Sequence, residues 1–240
     1  MTLPKPGGQG KGQIADAPEA TISTIPTPSR IAELIQASFP LTQVPSIPEI
    51  RLHKAGPQSG LWRFAEADRA FNSPYWAYHW GGGLALARYI LDHPEIIAGR
   101  RVIDLGAGSG LVAIAAALSG AAHITAADID RYAIVAIRLN AIANNVTVAT
   151  LHEDLTIQPP PEADVILVGD LFYDEALARR ITAFLDRCLA ANITILVGDP
   201  WRAHLPRNRL DLLAEYPGHD FGTGNAAEPK TNAVFAFKLA

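Results

Sequence analysis

The sequence predicts an α/β fold with a seven-stranded sheet, mostly parallel, and an antiparallel C-terminal hairpin. Runs typical of strands and helices alternate from residue 76 to residue 240. The strand runs are almost continuously aliphatic, as in VILV at residues 165–168, which is typical of parallel strands covered on both faces. Two strand runs at the C-terminus, residues 219–225 and 232–240, have only a polar loop between them, which predicts the hairpin.

Each element of this domain is predicted from the spacing of its apolar residues. Helical spacing predicts helices over residues 81–97, 110–121, 131–145, 174–191 and 209–216. Aliphatic runs predict the first five strands within residues 100–110, 123–129, 146–155, 163–170 and 192–200. Ligands of such sheets bind beyond the carboxyl ends of the strands, where the strand order reverses. We therefore expect a functional site at that edge.

The first 75 residues are predicted to be less regular. Residues 1–28 are rich in Pro, Gly, Ser and Thr and are expected to form a disordered tail. Residues 29–75 are expected to lie near the substrate side, with a short helix capped by Ser29 and an extended run from residue 47. Trp76 and Trp80 are four residues apart, so a helix would place both on one face. For Trp76 the sequence is consistent with two roles, packing in the core and contact with a ligand.

The composition is that of an ordinary globular protein. Hydrophobic residues make up 49% of the 240 residues, charged residues 18%, and the formal net charge is -4. This charge disfavours a general nucleic-acid binder, because neutralising phosphates needs a basic face. The single cysteine, Cys188, has helical spacing with apolar neighbours and is predicted to lie in the core. No disulfide, signal peptide or membrane span is predicted, so a cytoplasmic location is expected, and the histidine spacing predicts no metal site.

A glycine-rich loop and three acidic residues predict a cofactor site. The loop glycines are Gly106, Gly108 and Gly110. Their spacing fails the dinucleotide fingerprint, and Asp104 just before them would repel a phosphate but suits an ammonium group. Asp128 ends the next strand, where a carboxylate can accept ribose hydroxyls, and Asp154 ends the one after, where it could accept an adenine amino group. S-adenosylmethionine carries all three groups. Helix capping is the alternative role of Asp104 and Asp128.

This loop, followed by Asp128, resembles the motif of the Rossmann-like, seven-stranded class I methyltransferases, which use S-adenosylmethionine. The resemblance covers residues 76–240. The fourth strand leads into GDLFYDEALARR, which resembles the Asp-x-x-Tyr motif of a lysine-methylating branch of that superfamily. It implies that Asp170 accepts hydrogen bonds from a lysine amine beside the cofactor, with Phe172 and Tyr173 as walls of the site. In the alternative, Asp170 caps the next helix and Tyr173 packs in the core.

Segments outside this motif resemble the electron transfer flavoprotein β-subunit lysine methyltransferase family. They are VPSIPEIRLHKA, PYWAYHWGGGLALARYILDHP, GDLFYDEALARR and GDPWRAHLPRNRLDLLAEY. The resemblance implies methylation of lysine ε-amines of the flavoprotein β subunit, and it places Trp80 near the methionine end of the cofactor. Trp201 stands where the family has glycine and is expected to shape the substrate rim. A ribosomal-protein lysine methyltransferase and a non-catalytic S-adenosylmethionine-binding module remain alternatives, and neither membrane nor nucleic acid is expected as a partner.

Overall fold

The computed structural model describes residues 26–56, 59–68, 71, 74–218 and 231–239. The helices are α1 Pro28–Ser38, α2 Trp62–Ala67, α3 Gly81–Asp92, α4 Leu111–Leu118, α5 Arg131–Ala143 and α6 Glu175–Ala190. The strands are β1 Leu41–Val44, β2 Ile47–His53, β3 Arg101–Leu105, β4 His123–Asp128, β5 Ala149–His152, β6 Val165–Gly169, β7 Thr194–Asp199, β8 Leu210–Pro217 and β9 Thr231–Phe237. Single turns of 3₁₀ helix lie at Tyr75–Ala77, Pro94–Ile96, Leu155–Ile157 and Arg207–Arg209.

The central sheet has seven strands in the order β5-β4-β3-β6-β7-β9-β8. Strands β3 to β7 are parallel, while β9 is antiparallel to both β7 and β8. This confirms the predicted seven-stranded α/β fold with its antiparallel C-terminal pair. The chain order reverses between β3 and β6, so a crevice is expected beyond the carboxyl ends of these two strands.

The first strand of the C-terminal pair is not the predicted one. Residues 209–216 were predicted to be helical, but β8 occupies most of this range and pairs with β9 from Leu210 to Pro217. Leu, Ala and Glu are good helix formers, yet the ladder with β9 outweighs that local preference. The predicted strand at residues 219–225 lies outside the described residues.

Apolar side chains cover both faces of the sheet. Helices α3, α4 and α5 pack on one face together with the hairpin β1–β2, and α6 packs on the other. Cys188 on α6 is completely buried in the second of these cores, as predicted, and burial raises the pKa of its thiol to about 11. Among the described residues, every helix is too short or too polar to cross a bilayer.

The N-terminal elements pack on α5. Rings from α2 and from the turn before α3 form an aromatic cluster, in which Trp76 stacks on Tyr132 with centroids 6.3 Å apart. Trp76 is therefore a core residue. The predicted Ser29 cap is wrong, because Pro28 suits the first helical position and Thr27 accepts the hydrogen bond from the Arg30 amide instead. Residues 1–25 of the predicted tail lie outside the described part of the chain.

Candidate active site

The carboxyl ends of three neighbouring strands meet at one level of the sheet. Leu105 at the end of β3 is paired with Ala127 of β4 on one side and with Val168 of β6 on the other. The residues that follow these three positions therefore leave the sheet side by side. They include the glycine loop after β3, Asp128 after Ala127, and Asp170 after β6.

The glycine loop adopts a conformation that suits glycine. Gly106, Gly108 and Gly110 have φ angles of 65°, 52° and 81°, in the left-handed region that other residues enter at a cost. A Cβ on Gly106 would also lie 2.7 Å from the side chain of Leu171, which would have to shift to accommodate it. The amide of Gly108 donates to Asp128 Oδ2 at 2.8 Å, which ties the loop to the end of β4.

Asp104 lies beneath this loop, on β3. Its side chain is 2% exposed, and Oδ2 accepts a hydrogen bond from the Ala113 amide in the first turn of α4. Burial raises the pKa of Asp104 to about 7; the nearby Asp128 carboxylate also raises it, while the Ala113 N–H opposes the rise. Asp104 therefore accepts from the first turn of α4, as the capping alternative predicts. Contact with a ligand ammonium group stays a prediction.

Asp128 is oriented by backbone donors but does not cap a helix. Its Oδ2 accepts from Gly108 N and its Oδ1 from Asp130 N at 2.9 Å, whereas Asp130 caps α5 through Tyr132 N. Burial raises the pKa of Asp128, against the lowering by these N–H donors. The Ile129 N–H also lowers the pKa as a donor to this carboxylate, so the contact of Asp128 with ribose hydroxyls stays a prediction.

Asp154 follows β5, two strands away from β3. Its Oδ1 accepts from Thr156 N at 3.0 Å and from Thr156 Oγ1 at 2.5 Å, and its Oδ2 lies 3.5 Å from the Arg180 guanidinium. These contacts cap a 3₁₀ turn and link it to α6. The contact with an adenine amino group stays a prediction.

Asp170 has the position predicted for it at the end of β6. Its φ angle is 60°, a left-handed value that aspartate tolerates better than most residues. Oδ2 accepts from the Gly83 amide at 2.6 Å, and Oδ1 accepts from Arg202 Nη2 at 2.8 Å. The cap of α6 is Asp174, which accepts from the Leu177 amide, so the capping alternative fails for Asp170.

Three aromatic side chains form a row beside Asp170, which we call the aromatic row: Trp80, Tyr75 and Tyr173. The Tyr75 ring lies 5.9 Å from that of Trp80 and 6.5 Å from that of Tyr173, and Trp80 Nε1 donates to the Tyr75 carbonyl. Tyr173 is 59% exposed, which excludes the core-packing alternative. Partial burial raises the pKa of its phenol, and the negative groups nearby add to the rise.

Two side chains that were expected to contact the substrate, Phe172 and Trp201, make contacts within the protein. Phe172 is completely buried in the core that α6 covers, so it packs there instead of forming a substrate wall. Trp201 has a φ angle of 65°, and its ring meets Phe235 edge-on at 4.9 Å while the Arg207 guanidinium lies 5.5 Å from it. The sheet thus holds the Trp201 ring, and its contact with a substrate stays a prediction.

Four residues of the site were not predicted from the sequence: Gly83, Tyr75, Asp199 and Arg202. Gly83 and Arg202 hold the two oxygens of Asp170, and Asp199 accepts a hydrogen bond from the Arg202 backbone at 2.6 Å. The GDP-x-R sequence after an aliphatic strand is a signal that could have identified Arg202, because it parallels the Gly-Asp that ends the preceding strand.

Comparisons with known proteins identify the family. The family model described as ribosomal protein L11 methyltransferase (PrmA) matches residues 86–187. A Danio rerio relative, named electron transfer flavoprotein beta subunit lysine methyltransferase, is 43% identical over 175 residues, which cover 70% of this chain and 68% of the relative. A Xenopus laevis relative of the same name is 38% identical over 205 residues, 83% of this chain and 81% of the relative.

A solved structure from Pyrococcus horikoshii, named as a proposed RNA methyltransferase, has the same fold. Its TM-score is 0.50 at 15% sequence identity, with 70% of this chain and 91% of that chain covered. At this identity the likeness concerns the fold alone. The extent of the sequence matches decides the family. This chain belongs to the electron transfer flavoprotein beta subunit lysine methyltransferase family, whose enzymes take their methyl group from S-adenosylmethionine.

Proposed function

We propose that this enzyme methylates lysine ε-amines of the electron transfer flavoprotein β subunit, with Asp170 and Tyr173 at the substrate lysine. The observation that carries the proposal is the Asp170 carboxylate, held at the end of β6 by Gly83 N–H and Arg202 beside the exposed Tyr173 ring. This carboxylate lies next to the predicted cofactor crevice between β3 and β6. A lysine that reaches it would therefore meet the methyl donor.

The residues of the crevice fit the cofactor. The left-handed glycines leave a loop without side chains, along which a ligand can approach the backbone closely. Asp128, which backbone donors orient at the end of β4, would accept from the ribose hydroxyls, while Asp104 and Asp154 would serve the ammonium and adenine ends. Trp80, at the start of α3, would lie at the methionine end. S-adenosylmethionine supplies an activated methyl group when it is bound there.

The chain's own residues would act mainly by alignment. A lysine amine has a reference pKa of about 10.4 and must be neutral to use its lone pair. Asp170 would accept a hydrogen bond from that neutral nitrogen, while the aromatic row would shield the site from water. The proton is lost to water before the site closes. Holding the two reacting atoms in line supplies much of the rate.

The substrate assignment rests on the relatives. Those that match over most of the chain are named for the β subunit of electron transfer flavoprotein. The match to the ribosomal protein L11 methyltransferase model at residues 86–187 favours a second candidate, methylation of ribosomal proteins. That range contains the glycine loop and the strand ends, which bind the shared cofactor, so it says less about the protein substrate. The cytoplasmic location stays a prediction.

Transfer of labelled methyl groups to the purified flavoprotein β subunit tests the proposal. Asp170→Ala should lose most of the transfer rate, since the acceptor that aligns the amine nitrogen is removed. Asp174→Ala is the matched control, because this carboxylate lies in the same loop but only caps α6. Wild-type transfer by the Asp170 variant would rule out its assigned role. Preferred transfer to ribosomal proteins by the wild-type enzyme would favour the second candidate.

A further inference from the structure

The turn after β7 is built to deliver the Arg202 side chain to one place. Pro200 and the left-handed Trp201 occupy the two central positions, a combination that is typical of a type II turn. The completely buried Asp199 accepts from the Arg202 amide at 2.6 Å and closes the turn. Arg202 therefore leaves the sheet from a fixed backbone position.

The Arg202 guanidinium lies between Asp170 and the aromatic row. Its Nη2 donates to Asp170 Oδ1 at 2.8 Å, and its central carbon lies 5.7 Å from the centre of the Trp80 ring. The two side chains of this ion pair are only 19% and 10% exposed. At such low exposure the two charges act strongly on each other and on any charge that enters the site.

We infer that Arg202 is a positioning residue that keeps the substrate amine neutral by cancelling the negative charge of Asp170, an inference that rests on the proposed function. A carboxylate without this partner would stabilise a lysine ammonium ion, which has no lone pair for the reaction. A carboxylate that is paired with Arg202 still has lone pairs for the N–H groups of a neutral amine. The pair thus offers hydrogen bonds to the amine without favouring its protonation.

The reaction explains why this matters. The nitrogen lone pair forms the new N–C bond with the methyl carbon, while the C–S bond breaks and its electron pair stays on sulfur. The methylated nitrogen carries the positive charge and then loses a proton to water. An amine protonated before the transfer cannot form that bond, so every rise in its pKa at the site lowers the reactive fraction at neutral pH.

Other ionisable groups lie along the same edge of the sheet: Asp199 after β7, Tyr173 after β6, Asp104 on β3 and Asp128 on β4. All of these groups are present both in the wild type and in an Arg202 variant. A change in pH dependence between the wild type and an Arg202 variant therefore reports the guanidinium charge.

The test is the pH profile of kcat for methyl transfer to the flavoprotein β subunit, measured from about pH 6 to about pH 10. Arg202→Gln should raise the midpoint by about one pH unit, which means about tenfold lower kcat below the midpoint. Arg202→Lys keeps the charge but loses the planar fork, so kcat should fall at every pH while the midpoint stays near that of the wild type. Asp170→Asn leaves the guanidinium uncompensated and should lower the midpoint of the residual activity.

Calorimetric binding of S-adenosylmethionine shows whether each variant is folded. If Arg202→Gln does not bind the cofactor, the test uses two other variants. The midpoint of the pH profile should then rise in Arg202→Met and fall in Asp170→Asn. The inference would be overturned if kcat fell equally at every pH and the midpoint stayed unchanged both in the neutral Arg202 variant and in Asp170→Asn. Arg202 would then have only a structural role. A wild-type enzyme that transfers no methyl group to lysine would instead overturn the proposed function.

Discussion

A Cβ on Gly82 would lie 2.2 Å from the carbonyl oxygen of Gly198, so the backbones of α3 and β7 are in direct contact. This contact brings the first turn of α3 to the carboxyl edge of the sheet. There the Gly83 amide, one residue further on, binds the Asp170 carboxylate. The three consecutive glycines at the start of α3 therefore serve the active site as well as the fold.

Gly82→Ala should destabilise the protein by about 3 kcal/mol, because the methyl group can only be accommodated by moving the backbone of α3 away from β7. Gly83→Ala is the matched control, since its Cβ would meet Asp170 Oδ2 at 3.7 Å and Val112 at 3.9 Å, which are ordinary contacts. Urea denaturation gives the free energy of unfolding of both variants. Equal stability of the two would contradict the close contact between α3 and β7.

Asp104→Asn should change how the stability of the ligand-free protein depends on pH. Burial raises the pKa of Asp104 from its ordinary 3.8 to about 7, so between these values the folded chain holds more protons than the unfolded one. Stability therefore falls as the pH rises through this range. Asparagine still accepts the hydrogen bond from Ala113 N but carries no charge, so the variant should unfold several degrees above the wild type at pH 8, with little difference at pH 5.

Thermal unfolding across this pH range measures the effect. If Asp104→Asn loses as much stability as the wild type when the pH rises, another group causes the pH dependence. Cofactor affinity is a second measurement on the same variant. If Asp104 meets the ligand ammonium group, Asp104→Asn should bind S-adenosylmethionine more weakly even though its ligand-free form is more stable.

Replacing Trp201 separates backbone strain from ring packing. Its φ angle of 65° favours glycine, whereas its ring packs against Phe235 and Arg207. Trp201→Gly and Trp201→Ala lose the same ring contacts, but only glycine relieves the left-handed strain. The glycine variant should therefore be about 1 kcal/mol more stable than the alanine variant, while both are less stable than the wild type. An alanine variant as stable as the glycine one would argue against strain at this position.

The aromatic row can be tested at Tyr173. Tyr173→Phe keeps the ring beside Tyr75 and should retain most of kcat/KM. Tyr173→Ala removes the ring and should lower kcat/KM by about tenfold or more, since the amine is then less well aligned. A phenylalanine variant that is as impaired as the alanine one would assign the role to the hydroxyl group. Tyr78→Phe is a control, because this half-buried ring packs against the N-terminal aromatic cluster and the variant changes only a hydroxyl.

Much of the fold could be predicted from the sequence because it follows from local runs of apolar residues. The aliphatic runs of β6 and β7 leave no polar face, which indicates a parallel sheet that is covered on both sides. The same holds for the placement of Asp128 and Asp170, since each directly follows such a run and so must leave the sheet at its carboxyl edge.

Other features depend on neighbours that are distant along the chain. Residues 210–217 have helix-forming residues but form a strand, because β9 offers them a ladder of backbone hydrogen bonds. Phe172 stands between the two motif residues Asp170 and Tyr173, yet its ring lies in the apolar core, whereas Tyr173 is exposed. The Asp170 carboxylate is buried too, but it faces polar groups of Gly83 and Arg202. Which of these three side chains points inward is set by the packing of α6.

The class of sheet, the glycine loop and the order of the acidic residues follow from local sequence, since the spacing of apolar residues and the position of glycines act within a few residues. In contrast, long-range packing brings Arg202 and Gly83 to the same Asp170 carboxylate and places Tyr75 between Tyr173 and Trp80. These contacts join residues that are 32 and 87 positions apart in the case of Asp170. They arise because β3, β6 and β7 end side by side under the first turn of α3, an arrangement that depends on the packing of the whole sheet.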